Sequence, residues 1–484
     1  MNKIKNIIIK HDYLFIATVI LIIISGFSLN INMDSEDSFW NFANIYKMYE
    51  GEQIYTNINI IITPLFFYIG ELFMYILGSN FIAYQIYNII IATILFVLMY
   101  NLFRKLNIQK LTSMTYIIVS LIVLGDFYIS GPNYNVLALL FSIVGITNLI
   151  QNKQGTKTKI FQGIIAFLIF ISKQNIGVFY IIGLTIYQII LKKELKHWFI
   201  SAVIFLIGIL LTIIAFLING NLYNFINYAF LGIGEFATEN IYLNVYEILI
   251  FLVYIIIILF GIFIIHSKKI NIEDKIKENI KILVSFAMTY IFIAYPIFNE
   301  YHLTLASVLP YLILVYSLTI TIKQFKLKKI TIMSTAILAI FSLLLLTDYI
   351  IKITYIDYPF KNNHPYKGML ISAENYQEMQ EICNYIKENN ANGINVKILS
   401  HRSMWYLIQL HQFNGEMDLP FYGNLGKDGE DGLIENIQKL ENTKILILKE
   451  GEKRFQESKK VENYIRQSYE KVEEISSFDV YYIK

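Results

Sequence analysis

Hydrophobic and polar positions along the chain fall into two regimes. Up to about residue 354, eleven long apolar runs are separated by short polar loops. They lie near 13–31, 82–103, 112–129, 134–150, 160–172, 175–191, 197–218, 246–265, 280–298, 303–322 and 330–351. About 20 apolar residues cross the hydrocarbon of a bilayer as a helix, so each run predicts a span, the run 160–172 being short. One more apolar run, 60–77, contains Pro64, Gly70 and Glu71. Counting it as a span would place "RKLNIQK" and every later basic loop on the wrong side, so it is assigned to a helix lying in the membrane interface. From about 355 the pattern changes. "INVKILS" (394–400), "TKILILK" (443–449) and "FDVYYI" predict short strands, and 372–390 and 454–471 predict amphipathic helices. Strand alternating with helix predicts a small α/β domain. The glycine-rich stretch "GNLGKDGEDG" (423–432) between them carries three carboxylates and no phosphate-cradling pattern, and predicts a flexible acidic loop.

Composition agrees with that division. The 484 residues are 56% hydrophobic and 16% charged, which excludes an ordinary soluble globular protein. The single cysteine, Cys383, excludes an intrachain disulfide and argues against a cysteine zinc site. The N-terminus has a basic start and a long apolar core without a small-residue cleavage site, which predicts a retained first span. Lysines fix the orientation. One set of alternate loops holds 21 Lys and Arg, among them Lys3, Lys5, Lys10, Arg104, Lys105 and Lys110; the opposite short loops hold Lys47 and Lys173. The positive-inside rule then places the N-terminus in the cytoplasm of a multi-pass plasma-membrane protein with eleven spans. The expected organisation is a membrane domain over 1–354 and an extracytoplasmic α/β domain over 355–484. No nucleic-acid partner is predicted.

Candidate chemistry is confined to the few polar groups of the outer half. Asp34, Glu36 and Asp37 precede "FWNFANIYKMY", whose Phe39, Trp40, Phe42, Ile45, Tyr46 and Tyr49 are spaced as one face of a helix. Such a helix would lie flat on the membrane and hold the carboxylates at the lipid–water boundary, against the plainer reading of a solvated acidic loop. Lys173, in "FISKQNIGVF", falls between two apolar runs joined by almost no loop. A lysine there either snorkels at a helix end or binds an anion such as phosphate, with Gln174 and Asn175 beside it. Glu300, Tyr301 and His302 fill a second tight turn between spans. Asp126 reads as a solvated loop residue.

The segment "DSFWNFANIYKMYEGEQIYTNINIIITPLFFYIGELFMYILGSNFIAYQIYN" (37–88) resembles the first outer loop of the GT-C superfamily of membrane glycosyltransferases, in the branch of protein O-mannosyltransferases and lipid A aminoarabinose transferases. Asp37 takes the place of the family's aspartate, followed by Gly51, Ile54-Tyr55, Thr63-Pro64-Leu65 and Gly78. Two positions depart from the pattern: Ser38 stands where a glutamate often follows the aspartate, and Thr63 stands where a second proline is usual. Asp34 and Glu36 therefore remain alternatives to Asp37 as the operative carboxylate.

The resemblance implies a GT-C-like polytopic helical fold with interfacial helices in the first outer loop. It also implies transfer of a sugar from a polyprenyl-phosphate donor, whose tail lies among membrane lipid, to a glycan, lipid or protein acceptor. Asp37 would be the general base of an inverting displacement. Asp34 and Glu36 would orient it or the sugar. Lys173 and His302 would stabilise the departing phosphate, with Gln174, Glu300 and Tyr301 as substrate contacts. No cofactor follows firmly, although the clustered acids could instead hold a divalent cation. Two rivals stay open. One is a non-catalytic lipid-binding or scaffold protein of the same fold. The other is a transporter, against which the nearly charge-free spans and the lack of repeat symmetry argue.

Overall fold

The computed structural model describes residues 12–29, 36–124, 133–151, 155–234, 244–267, 270, 272–295, 298–324, 358–359, 365–413, 415–452 and 456–484. The helices are α1 (Asp12–Leu29), α2 (Glu36–Tyr49), α3 (Leu65–Leu77), α4 (Phe81–Lys105), α5 (Lys110–Val123), α6 (Asn133–Gln151), α7 (Thr156–Ser172) and α8 (Gln174–Thr185). After α8 the chain continues in wider π-helical turns over Ile186–Leu191. There follow α9 (Leu195–Ile218), α10 (Leu222–Ile226), α11 (Val245–His266), α12 (Asp274–Tyr290) and α13 (Glu300–Gln324). Ten of the eleven apolar runs thus coincide with helices; the run 330–351 lies outside the described residues. Among the described residues, six helical stretches are long and apolar enough to cross a membrane. Helix is the form that satisfies every backbone polar group within its own segment, as lipid demands.

The chain divides into two compact units. One comprises Met1–Asn30, Tyr87–Thr212 and Ile241–Thr354. Its interior is tied by neutral polar pairs between helices. Tyr180 donates to Gln162 Oε1 at 2.6 Å, Gln162 donates to the Gly145 carbonyl at 3.0 Å, and the Ser142 and Tyr290 hydroxyls share a hydrogen bond of 2.5 Å. The outward faces are apolar. On α11, Ile256 and Phe263 are exposed, as are Leu206, Leu210 and Leu211 on α9. A belt of that extent is stable against lipid and not against water, so this is a membrane-embedded helical protein.

The second unit comprises Ile31–Ile86, Ile213–Asn240 and Tyr355–Lys484. The segment 31–86, attributed to the membrane domain by chain order, packs with the C-terminal segment. Short strands β1 (Tyr358–Pro359) and β2 (Leu370–Ile371) pair antiparallel. The main sheet has the order β3-β4-β6-β5, from β3 (Asn395–Ile398), β4 (Thr443–Leu448), β5 (Glu470–Ile475) and β6 (Phe478–Ile483). Only the β3–β4 pair is parallel. Helices α14 (Ala373–Ala391) and α15 (Ser403–Leu410) contact each other; α16 (Gly429–Gln438) and α17 (Lys459–Ser468) close a core of Leu433, Ile437, Ile445, Ile447, Val461 and Ile465.

Two expectations change here. The glycine-rich stretch 423–432 is a docked segment, not a flexible loop: the Lys427 N–H donates to Asn227 Oδ1 at 2.9 Å, and any Cβ on Gly426 would collide with Asn227. The predicted helix 454–471 splits into α17 and the edge strand β5, because Glu470–Ile475 pairs with β6. That strand is almost fully exposed and charged, so no alternation betrays it in the sequence, and its charges blunt the open edge.

Candidate functional site

Helix α2 is the first place where the predicted residues gather. Gly51 ends it in a left-handed conformation (φ 98°), with the Glu52 N–H on the Lys47 carbonyl and the Gly51 N–H on the Met48 carbonyl, a Schellman closure that glycine permits. The helix does not lie flat with a polar face in water. Every residue from Ser38 to Met48 is buried. The apolar face expected against the membrane packs on protein instead: Phe39 and Phe42 contact the Tyr366 ring at 5.9 and 6.3 Å, and Gly70 of α3 admits Ile45 where a Cβ would collide. The opposite face is covered too. Lys47, expected at an exposed outer loop, is 2% exposed and pairs with Asp418 at 2.5 Å, so it is not available to a bound anion.

Asp37 is half-buried at the start of this helix, directly ahead of the buried run Ser38–Met48. Its charge sits in the first turn, where the helix dipole favours a carboxylate. One and two turns further, on the same face, lie Asn41 and Asn44. Asn44 donates to the Trp40 carbonyl, whereas both amide atoms of Asn41 are buried without a hydrogen-bond partner. A buried amide without a protein partner is costly, and Asn41 shares this with Asn88 on α4. Asp34 lies outside the described residues, as does the Glu36 side chain. Among the described residues no cluster of three or more His, Cys, Asp or Glu is placed to hold a metal ion. The divalent-cation alternative depends on those acids.

The apolar loop after α2 is also specifically built. Tyr55, with φ 65°, is fully buried, donates to the Ile62 carbonyl at 2.6 Å and packs on the Phe216 and Phe225 rings. Helix α3 spans 13 residues, about 20 Å, too short for a bilayer. Phe66, Phe67 and Met74 face inward and Leu72, Tyr75 and Ile76 outward.

In the other unit, Lys173 is the one-residue joint between α7 and α8. Its backbone is extended (φ −156°, ψ 111°), its N–H closes α7 on the Ile169 carbonyl, and its carbonyl accepts the Gly177 N–H of α8. The hairpin is so tight that a Cβ on Gly177 would strike the Phe170 backbone. The half-buried ammonium lies 4.7 Å from the Tyr134 ring centroid, a cation–π contact. It is close enough to His302 to act on that ring electrostatically. His302 and Tyr301 begin α13, their rings edge to face at 5.7 Å, and Asn299 Oδ1 caps the helix by accepting the His302 N–H at 2.9 Å. Gln174 is buried beside Lys173; the Glu300 side chain lies outside the described residues. Lys173, Tyr301 and His302, 128 or more residues apart in the chain for the lysine and the pair, are thus neighbours.

Three participants were not singled out from the sequence. Tyr134 carries no local signal. Asn299 does, since asparagine ahead of an apolar helical run is a capping pattern. Asp418 could not be paired with Lys47 without the fold. No family model matches the chain, and no curated protein matches it significantly.

Proposed function

We propose that this protein is a membrane glycosyltransferase that takes a sugar from a polyprenyl-phosphate donor on the outer face of the plasma membrane. The observation that carries the reading is the environment of Asp37. It is a half-buried carboxylate at the head of an otherwise buried helix, in the first turn where the helix dipole favours its charge. The short, outwardly apolar α3 and the α2 ending at Gly51 support the GT-C-like arrangement that the sequence resembles, and the lysine asymmetry supports an outward-facing first loop.

In this reading Asp37 takes the proton of the acceptor hydroxyl as that oxygen attacks the anomeric carbon. The bond from the anomeric carbon to the phosphate oxygen breaks, and the configuration inverts. A positioned base of this kind contributes about 10²–10⁴-fold. The electron pair leaves on the lipid phosphate, and the resemblance gives Lys173 and His302 the part of stabilising the added charge. The test is transfer from a radiolabelled polyprenyl-phosphate sugar by the purified, lipid-reconstituted protein. Wild type transfers label and Asp37→Asn does not; an Asp37→Asn protein as active as wild type removes the base assignment.

A further inference from the structure

Beside the edge strand β3, the second unit carries a cavity of about 450 Å³. That lies within the roughly 300–1,000 Å³ of small-molecule sites. Its floor is aliphatic, from the buried side chains of Ile386, Val396 and Leu407. Its rim is polar and uncharged: Asn390, Asn395 and Gln412 are exposed there, with the backbone of Gly393 between them. Phe413 and His411 complete the wall. Among the described residues, no carboxylate, lysine or arginine lines it.

The lining is held in place from behind. Asn390 donates to Gln412 Oε1 at 3.0 Å, and the Gly393 carbonyl accepts from Asn442 at 2.8 Å. The buried Lys47 ammonium lies 5.6 Å from the Phe413 ring centroid. His411 closes α15 in the left-handed region (φ 49°), with Nδ1 3.3 Å from the Tyr46 hydroxyl and 3.4 Å from Glu50 Oε2.

We propose that this cavity binds a neutral glycan. A carboxamide offers donors and an acceptor together, as a sugar hydroxyl does, so Asn390, Asn395 and Gln412 can exchange hydrogen bonds with a polyol in either direction. The half-buried Phe413 ring accepts the C–H face of a pyranose. The lack of a lysine or arginine disfavours a phosphate or carboxylate ligand, which needs a cation. The site is distinct from the Asp37 end of α2: His411 meets Tyr46 and Glu50, which lie about 14 and about 20 Å further along the helix axis. It therefore engages a part of a glycan remote from Asp37, and it stands whether or not the chain transfers sugar.

The experiment is a calorimetric titration of the full-length protein in nanodiscs with neutral hexose tetrasaccharides, N-acetylhexosamine tetrasaccharides and an uncharged tetrapeptide. At least one oligosaccharide binds saturably, and Asn395→Ala and Gln412→Ala each weaken it about tenfold, the effect of one lost hydrogen bond. Both side chains are exposed, and unchanged thermal unfolding of the variants verifies that the fold is kept. The proposal is overturned if no neutral oligosaccharide saturates, if both variants bind like wild type, or if the peptide alone binds.

Discussion

The Lys47 ammonium of α2 sits 2.5 Å from Asp418 Oδ2, across 371 residues of sequence, with the two side chains 2% and 1% exposed. Its other hydrogen bonds go to the Asn57 and Gly415 carbonyls at 3.1 and 3.3 Å, so all three of its donors are used. Such a pair contributes little over a well-packed apolar pair, yet losing one member strands a buried charge at a cost of about 3–5 kcal/mol. Lys47→Met and Asp418→Leu should each lower the thermal unfolding midpoint and open the C-terminal segment to protease. The double variant Lys47→Met/Asp418→Leu should recover much of that loss. A double variant as unstable as the two losses added together would show that the charges are not coupled.

Lys173 provides the sharpest functional prediction of the transferase reading. Removing one preorganised group from a developing charge costs about 10²–10³-fold in turnover. Lys173→Met should therefore reduce kcat by that order, with a smaller effect on the donor KM, and Lys173→Arg should keep part of the rate. Equal rates for Lys173→Met and wild type would leave the lysine as a snorkelling residue held by Tyr134.

These two lysines also mark what could be read from the sequence. The helices over the apolar runs were legible because a long apolar run between polar loops folds as helix, and six of those described are long and apolar enough to cross a membrane. Lys173 and His302 were legible as candidates since tight turns between spans leave few polar groups to choose from. Lys47 was misread. Nothing in "NIYKMY" says that its polar face meets a segment 371 residues away, and a single amphipathic helix reads the same against membrane or protein. Strand β5 was hidden for a related reason: "EKVEEI" is held by partners on β6 and not by its own pattern.

The lone thiol gives a probe of that C-terminal packing. Cys383 is 1% exposed between α14 and α15, near the Tyr406 carbonyl, and burial pushes its thiol up to about 12. A thiol with so little thiolate at pH 8 reacts only when the segment opens. Maleimide labelling of the native protein should be slow and become rapid in denaturant, and Lys47→Met should accelerate it without denaturant. Prompt labelling of the native wild type would contradict the burial of Cys383.

Acid should loosen the same segment through β5 and β6. Asp479 is buried enough to disfavour its charge, but hydrogen bonds from Lys471 and Arg466, each 2.7 Å, outweigh that and hold its carboxyl below the usual range. Glu473 is likewise held low against burial, by Lys444 and Tyr385. A carboxylate whose folded pKa is depressed binds fewer protons than in the unfolded chain. Its stabilisation is complete above the ordinary value of about 4 and disappears as pH falls through the folded one. The unfolding midpoint should fall by a few degrees between about pH 5 and pH 2, beyond the general effect of acid. Asp479→Asn should start lower at pH 7 and lose less over that interval. The measurement is thermal unfolding of both proteins across the acid range, and parallel curves would remove Asp479 from the explanation.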